Sequence, residues 1–271
     1  MSTPLEEAFP RPSVIGVVNV TPDSFSDGGA FLDPGGAIAQ AKRLLREGAV
    51  LVDVGGESTR PGSEGVSGEE ELRRVEPVLE GLAGLPVSID TSKAEVARRA
   101  LELGAVLVND VTALRADPDL AGVVADANAY LCLMHMLGEP RTMQDGPRYD
   151  DVVAEVASFL EKRLAAAVAA GIPEERICLD PGIGFGKTVE HNLELLARMD
   201  ELVAIGRPVL VGASRKRFLG RILGDREAST GPVAAGVAIN VLAYERGASL
   251  FRVHDVRENV EALAAARPVV A

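Results

Sequence analysis

Residues 180–188 read DPGIGFGKT, and five of these nine residues are glycine, lysine or threonine, the alphabet of a phosphate-binding loop. A conventional loop of that kind needs a glycine five residues before the glycine of the Gly-Lys-Thr, so that consecutive backbone N–H groups can wrap the phosphates. Pro181 holds that position and has no N–H, and the carboxylate of Asp180 beside it would repel a phosphate. The stretch instead joins an acceptor carboxylate to a compact glycine turn, which lets a flat ring approach the backbone.

Other polar residues repeat the arrangement, each closing a short apolar run: Asn19, Asp53, Asp90, Asn109 with Asp110, His135, Asp180, Ser214 with Lys216, and Arg252 with His254. Asp90, Asn109 and Asp180 supply acceptors and one amide, suited to a neutral, donor-rich heterocycle whose amidine edge gives two N–H bonds to a carboxylate. Arg252, His254, Arg60 and Asn19 suit an anion, and Asn19 can give an oxygen to Mg²⁺, whose other ligands are normally phosphate oxygens and water. Taken together, these residues describe a site for a base-like ring carrying a phosphate. Plainer roles compete with this reading: Asp180 as a turn residue before Pro181, Asp90 as an aid to the helix cap at Ser92, Lys216 as a solvated helix start. A carboxylate that ends a buried run needs a donor, which favours the ligand roles. His135 and Asp53 remain open between interior hydrogen bonding and ligand contact, and His191 reads as a helix-surface residue.

Such residues need a scaffold that gathers the ends of many strands. Eight runs rich in Val, Ile and Leu have this character: 13–20, 50–56, 85–90, 106–110, 129–136, 176–182, 208–214 and 249–255. Each is followed by Gly, Pro or Asp and then by a stretch of helical periodicity, a repeated βα rhythm. Continuous apolar runs mark strands covered on both faces, and eight such units over about 250 residues fit a closed (β/α)₈ TIM barrel, with the active site at the C-terminal ends of its strands. Asp33-Pro34 and Asp117-Pro118 mark helix starts, and Ser67 with Glu70 and Ser92 with Glu95 are spaced as capping boxes. No linker or composition break interrupts residues 1–271, so one domain is expected. The Gly/Pro-rich connections 21–32, 57–66 and 137–150 are candidates for mobile loops.

The net charge of −12 leaves no basic surplus for a nucleic-acid partner. No stretch approaches a membrane span and the N-terminus lacks a signal pattern, so a cytoplasmic location is expected. Cys132 and Cys178 lie in apolar runs and read as small buried hydrophobes.

NVTPDSFSDGG (19–29), DVGGESTRPG (53–62), SIDTSK (88–93), NDV (109–111), LMHM (133–136), DPGIGFGKT (180–188), GASRKRF (212–218) and RVHDVRENV (252–260) together resemble the dihydropteroate synthase family in order and spacing across essentially the whole chain. The resemblance implies a TIM-barrel homodimer that joins 6-hydroxymethyl-7,8-dihydropterin pyrophosphate to p-aminobenzoate, giving 7,8-dihydropteroate and pyrophosphate for folate biosynthesis. It implies pterin contacts at Asp90, Asn109, Met134, Asp180 and Lys216, and pyrophosphate contacts at Asn19, Arg252 and His254, with Mg²⁺ on Asn19. For p-aminobenzoate it implies Phe25, Thr59, Pro61, Phe185, Ser214 and Lys216. Asp90, Asp180, Lys216 and Arg60 would carry the catalysis, a dissociative substitution. Ile183 stands where many members have Phe, an apolar exchange. Two alternatives share the barrel: a pterin-dependent corrinoid methyltransferase, which has no use for a pyrophosphate site, and a non-catalytic pterin-binding protein, in which a break at Asn19, Arg60, Lys216 or His254 would be expected.

Overall fold

The computed structural model describes residues 3–21, 33–60 and 62–270. After a short helix α1 (Leu5–Ala8), strands β1 (Ser13–Asn19), β2 (Leu51–Gly55), β3 (Val87–Asp90), β4 (Leu107–Asp110), β5 (Tyr130–Met134), β6 (Ile177–Asp180), β7 (Leu210–Val211) and β8 (Leu250–Val253) pair in parallel in the order β6-β5-β4-β3-β2-β1-β8-β7. A single parallel bridge, Leu179 to Val209, joins β6 to β7 and closes the ring; the Leu179 N–H donates to Pro208 O at 2.9 Å. The eight expected strands are present, and the fold is a (β/α)₈ barrel.

The strands carry a period of two beneath their continuous hydrophobicity. Val14, Val18, Val52, Val54, Ile89, Val108, Leu131, Leu179 and Phe251 pack outward with the helices. Ile15, Leu51, Leu107, Cys132, Cys178, Leu210 and Leu250 form a separate interior cluster with Leu5 and Phe9 of the N-terminal segment. Side chains two residues apart share a face of a strand. Stepping two residues on from Leu51, Leu107, Cys132, Cys178 and Leu250 therefore reaches Asp53, Asn109, Met134, Asp180 and Arg252 on the inner face. The interior is an apolar floor beneath a polar layer, and both cysteines lie in the floor as unpaired, fully buried thiols.

The covering helices are α2 (Pro34–Arg46), α3 (Gly68–Gly81), α4 (Ala94–Glu102), α5 (Leu120–Asp126), α6 (Val152–Ala169), α7 (Val189–Ala197), α8 (Met199–Val203), α9 (Arg217–Ile222), α10 (Val233–Glu245) and α11 (Val256–Val270). Several helix starts differ from expectation. Asp33 precedes Pro34 as expected, without a side-chain bond. Ser67 Oγ accepts from the Glu70 N–H at 3.2 Å, but Glu70 does not reach back; it pairs with Arg73 and Arg74. Ser92 does not cap α4. Instead Asp117 Oδ2 accepts from the Ala94 N–H at 2.8 Å, so the acid expected to start its own helix caps its neighbour, and α5 begins at Leu120. A capping box absent from the expectations joins Thr188 and His191 at α7, which gives His191 a structural partner.

Of the three connections, 57–66 folds back on itself through Glu57 Oε1, which accepts from the Val66 N–H at 3.2 Å, and Glu57 is itself paired with Lys93. The connection 137–150 is fastened to the glycine turn by Gln144 Nε2 donating to Gly184 O and by the Tyr149 hydroxyl donating to Gly186 O, each at 2.8 Å. Residues 22–32 of the first connection lie outside the described residues. Among the described residues no helix is long and apolar enough to cross a membrane.

Candidate active site

Asp53 of β2 sits at the centre of the polar layer, 1% exposed. Its Oδ1 accepts from Ser88 Oγ at 2.6 Å, and its Oδ2 accepts from Asn109 Nδ2 at 3.1 Å and from Arg252 Nε at 2.6 Å. Arg252 also donates through Nη2 to Asp90 Oδ2 at 2.7 Å. A guanidinium has five N–H donors, so donors remain for an anion once the Nε–H and one Nη2–H are taken. Asn109 Oδ1 is buried and has no partner among the described residues. A buried acceptor left unmade costs about 1–3 kcal/mol, a deficit that an outside N–H would remove.

The carboxylates in this layer are hard to ionise. Burial pushes Asp90 up to about 7, against the pull of Arg252 and with Asp53 adding to the rise. Asp180 is likewise raised by burial; its Oδ1 accepts from the Gly182 N–H at 2.6 Å, and the charges of Lys216, Lys187 and Arg252 oppose the rise. A cationic or strongly donating ring between these acids would favour their ionised forms.

Lys216, the residue before α9, donates through Nζ to Ile183 O at 2.7 Å, and Nζ lies 3.8 Å from the centroid of the Phe185 ring. Burial lowers it to about 7 although Asp180 pulls the other way. Gly184 leaves the space its side chain occupies: φ is +84° there, and a Cβ would meet Lys216 Cδ at 2.8 Å. Met134 on β5 packs with Val111, Met136 and Met143, with Phe185 against them, forming an apolar wall.

The lysine of the Gly-Lys-Thr turns inward. Lys187 Nζ contacts His135 Nδ1 at 2.9 Å and donates to Gly182 O and Phe185 O, each at 3.0 Å, so it clamps the turn from within. Burial lowers Lys187 to about 7 and, together with the Lys187 charge, holds His135 down at about 2. His135 is an interior residue whose neutral Nδ1 accepts from the lysine. Gly182, at φ +67°, passes so close to the His135 carbonyl that a Cβ would overlap its oxygen at 1.8 Å.

At the other side of the mouth, Ser214 Oγ accepts from the His254 backbone N–H at 3.1 Å and lies 3.2 Å from His254 Nδ1. Burial, then the charge of Arg252, lowers His254 to about 4, with Arg60 contributing to the same field. The ring is therefore neutral near pH 7; with the Ser214 hydroxyl donating to Nδ1, Nε2–H would be left as a donor. Arg215 secures the adjacent loop through a two-point pair with Asp255 at 3.0 and 2.5 Å.

Asp90, Asn109, Asp180, Lys216, Arg252 and Asp53 thus belong to one connected region, with Met134 and Phe185 along its wall and Ser214 and His254 at its edge. Asn19 ends β1 and is part-exposed; Thr59 is part-exposed and Arg60 exposed on the second connection. Phe25 and Pro61 lie outside the described residues. A cavity of about 700 Å³ opens at the same end of the barrel between the connections after β2, β4 and β5, lined by residues including Ser58, Ser63, Thr112, Arg115 and Met136. Ser88 and Lys187 were not singled out by their own sequence positions. Ser88 carries no local signal, whereas Lys187 lies in the turn that drew attention for a different chemistry. Among the described residues no three His, Cys, Asp or Glu side chains gather as a metal-binding group.

Residues 15–254 match the family described as pterin binding enzyme. The dihydropteroate synthase of Neisseria meningitidis serogroup C is 46% identical over 96% of this chain and 93% of its own length. That of Mycobacterium leprae is 49% identical, covering 92% of this chain and 90% of the relative. Among solved structures, the Xanthomonas albilineans dihydropteroate synthase with 4-aminobenzoic acid is 50% identical with a TM-score of 0.89, covering 97% of this chain and 94% of that one. The same enzyme in complex with 7,8-dihydropteroate aligns at a TM-score of 0.86 and 48% identity, covering 97% and 95%. With the barrel, the buried acids and the inward-turned lysine, these likenesses establish that the chain belongs to the pterin-binding enzyme family and, within it, to the dihydropteroate synthases.

Proposed function

We propose that the chain joins 6-hydroxymethyl-7,8-dihydropterin pyrophosphate to p-aminobenzoate in folate biosynthesis, releasing pyrophosphate and 7,8-dihydropteroate. The observation that carries the assignment of roles is the pairing of two buried, hard-to-ionise carboxylates, Asp90 and Asp180, with an orphaned acceptor, Asn109 Oδ1. Three acceptors suit a ring rich in N–H donors. Asp180 takes the amidine edge of the pterin, Asn109 Oδ1 takes a further ring N–H, and Met134 packs against the ring. Asp90 faces the developing charge.

The reaction follows a dissociative course. The C–O bond at the pterin methylene breaks and pyrophosphate leaves with the electron pair. The dihydropterin ring delocalises the positive charge, and the acids around it stabilise that charge as it grows. The aniline nitrogen of p-aminobenzoate then forms the C–N bond and gives up its proton to solvent. The aniline is already neutral at pH 7, so the site needs orientation more than a strong base. Arg252, through its uncommitted N–H groups, and neutral His254, through Nε2–H, bind the departing pyrophosphate together with Asn19. Lys216, Ser214, Thr59 and Phe185 form the p-aminobenzoate side, where Phe25, Pro61 and Arg60 would join them. Mg²⁺, held by the Asn19 amide oxygen and the pyrophosphate, would neutralise charge on the leaving group.

Residues 1–271 are read as one domain that works in the cytoplasm as a homodimer. The deciding experiment follows pyrophosphate release from the dihydropterin pyrophosphate with and without p-aminobenzoate and Mg²⁺. Release coupled to dihydropteroate formation, and lost on chelation, supports the assignment. Tight pterin binding without turnover sinks it.

A further inference from the structure

We propose that Asp53 is a positioning residue of the pterin site: it sets which end of the Asn109 amide faces the ring, and through Arg252 it links ring recognition to pyrophosphate recognition. This rests on the pterin reading above and assigns work to a residue that does not itself reach the substrate.

Asp53 lies one layer below the mouth, almost wholly buried, and both of its oxygens are engaged by protein donors. A primary amide is nearly the same shape in its two orientations, so its hydrogen-bond partners decide which way it points. The carboxylate can only accept. It therefore holds Asn109 Nδ2 at 3.1 Å and leaves Oδ1 as the acceptor with no partner among the described residues. Without that carboxylate the amide is free to turn, and an NH₂ would meet the N–H groups of the ring, donor against donor. None of the other strand-end acids does this, because Asp90 is bonded to Arg252, Asp180 to the Gly182 N–H, and Asp110 to the Thr112 and Leu114 N–H groups.

The same Oδ2 takes Arg252 Nε at 2.6 Å, while Asp90 takes Nη2 at 2.7 Å. Two carboxylates on adjacent strands thus fix the plane of the guanidinium. Ser88 Oγ, 2.6 Å from Asp53 Oδ1, occupies the oxygen that faces neither Asn109 nor Arg252, and so pins the rotation of the acid. The parallel register that pairs Asp53 with Ser88 and Asp90 with Asn109 sets this chain of bonds across three neighbouring strands.

The test is calorimetric binding of 6-hydroxymethyl-7,8-dihydropterin, the ring without its pyrophosphate, to wild type, Asp53→Ala, Asn109→Ala and the double variant Asp53→Ala/Asn109→Ala, with unfolding temperatures measured alongside. Asp53→Ala, which removes the acceptor that holds Asn109 Nδ2, is expected to weaken ring binding about tenfold or more, the size of one hydrogen bond turned against a ligand. In the Asn109→Ala background the same change is expected to alter ring affinity less than about threefold, because the group through which it acts is gone. The pair Asp53→Ala/Asn109→Asp, in which both ends of the side chain at 109 are oxygens and no donor can turn toward the ring, is expected to bind within about threefold of wild type. That pair carries the test by itself should Asp53→Ala alone not fold, and if it binds no better than Asn109→Ala the proposal is wrong. Equal ring binding by wild type and Asp53→Ala, or losses that multiply in the double variant as a general structural role requires, also overturns it. A wild-type protein that does not bind the ring overturns the pterin reading and this inference with it.

Discussion

Lys187 Nζ and His135 Nδ1 meet at 2.9 Å behind the glycine turn, a buried cationic group against a ring that must stay neutral to accept from it. Burial and the nearby lysine hold His135 at about 2, far below the value near 6.5 of an unfolded chain. Above pH 6.5 the ring is neutral folded or unfolded, so the histidine's own titration costs no stability. Below 6.5 the unfolded chain takes up a proton that the folded protein refuses, so stability is lost as pH falls toward 2, by at most about 1.4 kcal/mol per pH unit. His135→Gln keeps an acceptor for Lys187 but does not titrate. Urea unfolding at pH 7, 6 and 5 should show wild type losing up to about 2 kcal/mol relative to this variant between pH 6.5 and 5. Parallel curves would show that His135 titrates freely.

Two glycines of the turn should fail in different ways. Gly182→Ala would drive a Cβ into a backbone carbonyl that has nowhere to move, and should destabilise the fold by at least about 2 kcal/mol or prevent folding. Gly184→Ala meets only the flexible Lys216 chain, at a comparably unfavourable φ. It should retain a folded protein while displacing the ammonium group, so that kcat/KM for p-aminobenzoate falls about tenfold or more. Thermal unfolding and steady-state kinetics on the two variants separate these outcomes; equal effects on both readouts would contradict the assignment.

Asp180→Asn preserves the side-chain oxygen that accepts from the Gly182 N–H and removes only the charge. If that charge stabilises the ring cation, kcat should drop about a hundredfold or more with little change in unfolding temperature. Asp90→Asn should also lower kcat. It leaves Arg252 bonded to Asp53 but deprives it of an anionic partner, so its effect on the KM of the dihydropterin pyrophosphate should exceed that of Asp180→Asn.

Burial pushes Asp90 up, and Lys216 down, to about 7. The proposed reaction uses Asp90 deprotonated and Lys216 protonated. The profile of kcat/KM against pH should therefore be a narrow bell near neutrality, falling on the acid side as Asp90 takes a proton and on the alkaline side as Lys216 loses one. The groups share a field, so each limb belongs to the coupled set and not to one residue. Lys216→Arg should extend the alkaline side at reduced overall rate, and a profile flat from pH 6 to 8.5 would exclude these titrations from the reaction.

The apolar runs made the barrel legible because each strand is covered on both faces, and the acids at their ends stood out because a carboxylate closing such a run is costly without a donor. Asp53 stayed ambiguous for a related reason. Its partners Ser88, Asn109 and Arg252 are remote in sequence and become neighbours only through strand register, and no local spacing encodes a contact of that range. The helix caps misled in a similar way: Ser92 and Glu95 have the right spacing, yet Asp117, from the next βα unit, supplies the cap. The turn at 182–186 was readable as glycine geometry, whereas the inward course of Lys187 depends on a histidine 52 positions away.

One bridge, between Leu179 and Val209, closes the barrel where other neighbouring strands share runs of paired residues. That seam runs between the strand bearing Asp180 and the strand leading to Ser214 and Lys216, so it separates the wall assigned to the pterin from the wall assigned to its aromatic partner. The gap between the walls is consequently set by core packing at Leu179, Val209 and Val211 more than by a hydrogen-bonded ladder. In the proposed reaction the spacing between the two substrates then depends on packing behind the barrel wall: a change of one or two methylenes at the seam would re-space the slot without altering any residue assigned to touch a substrate.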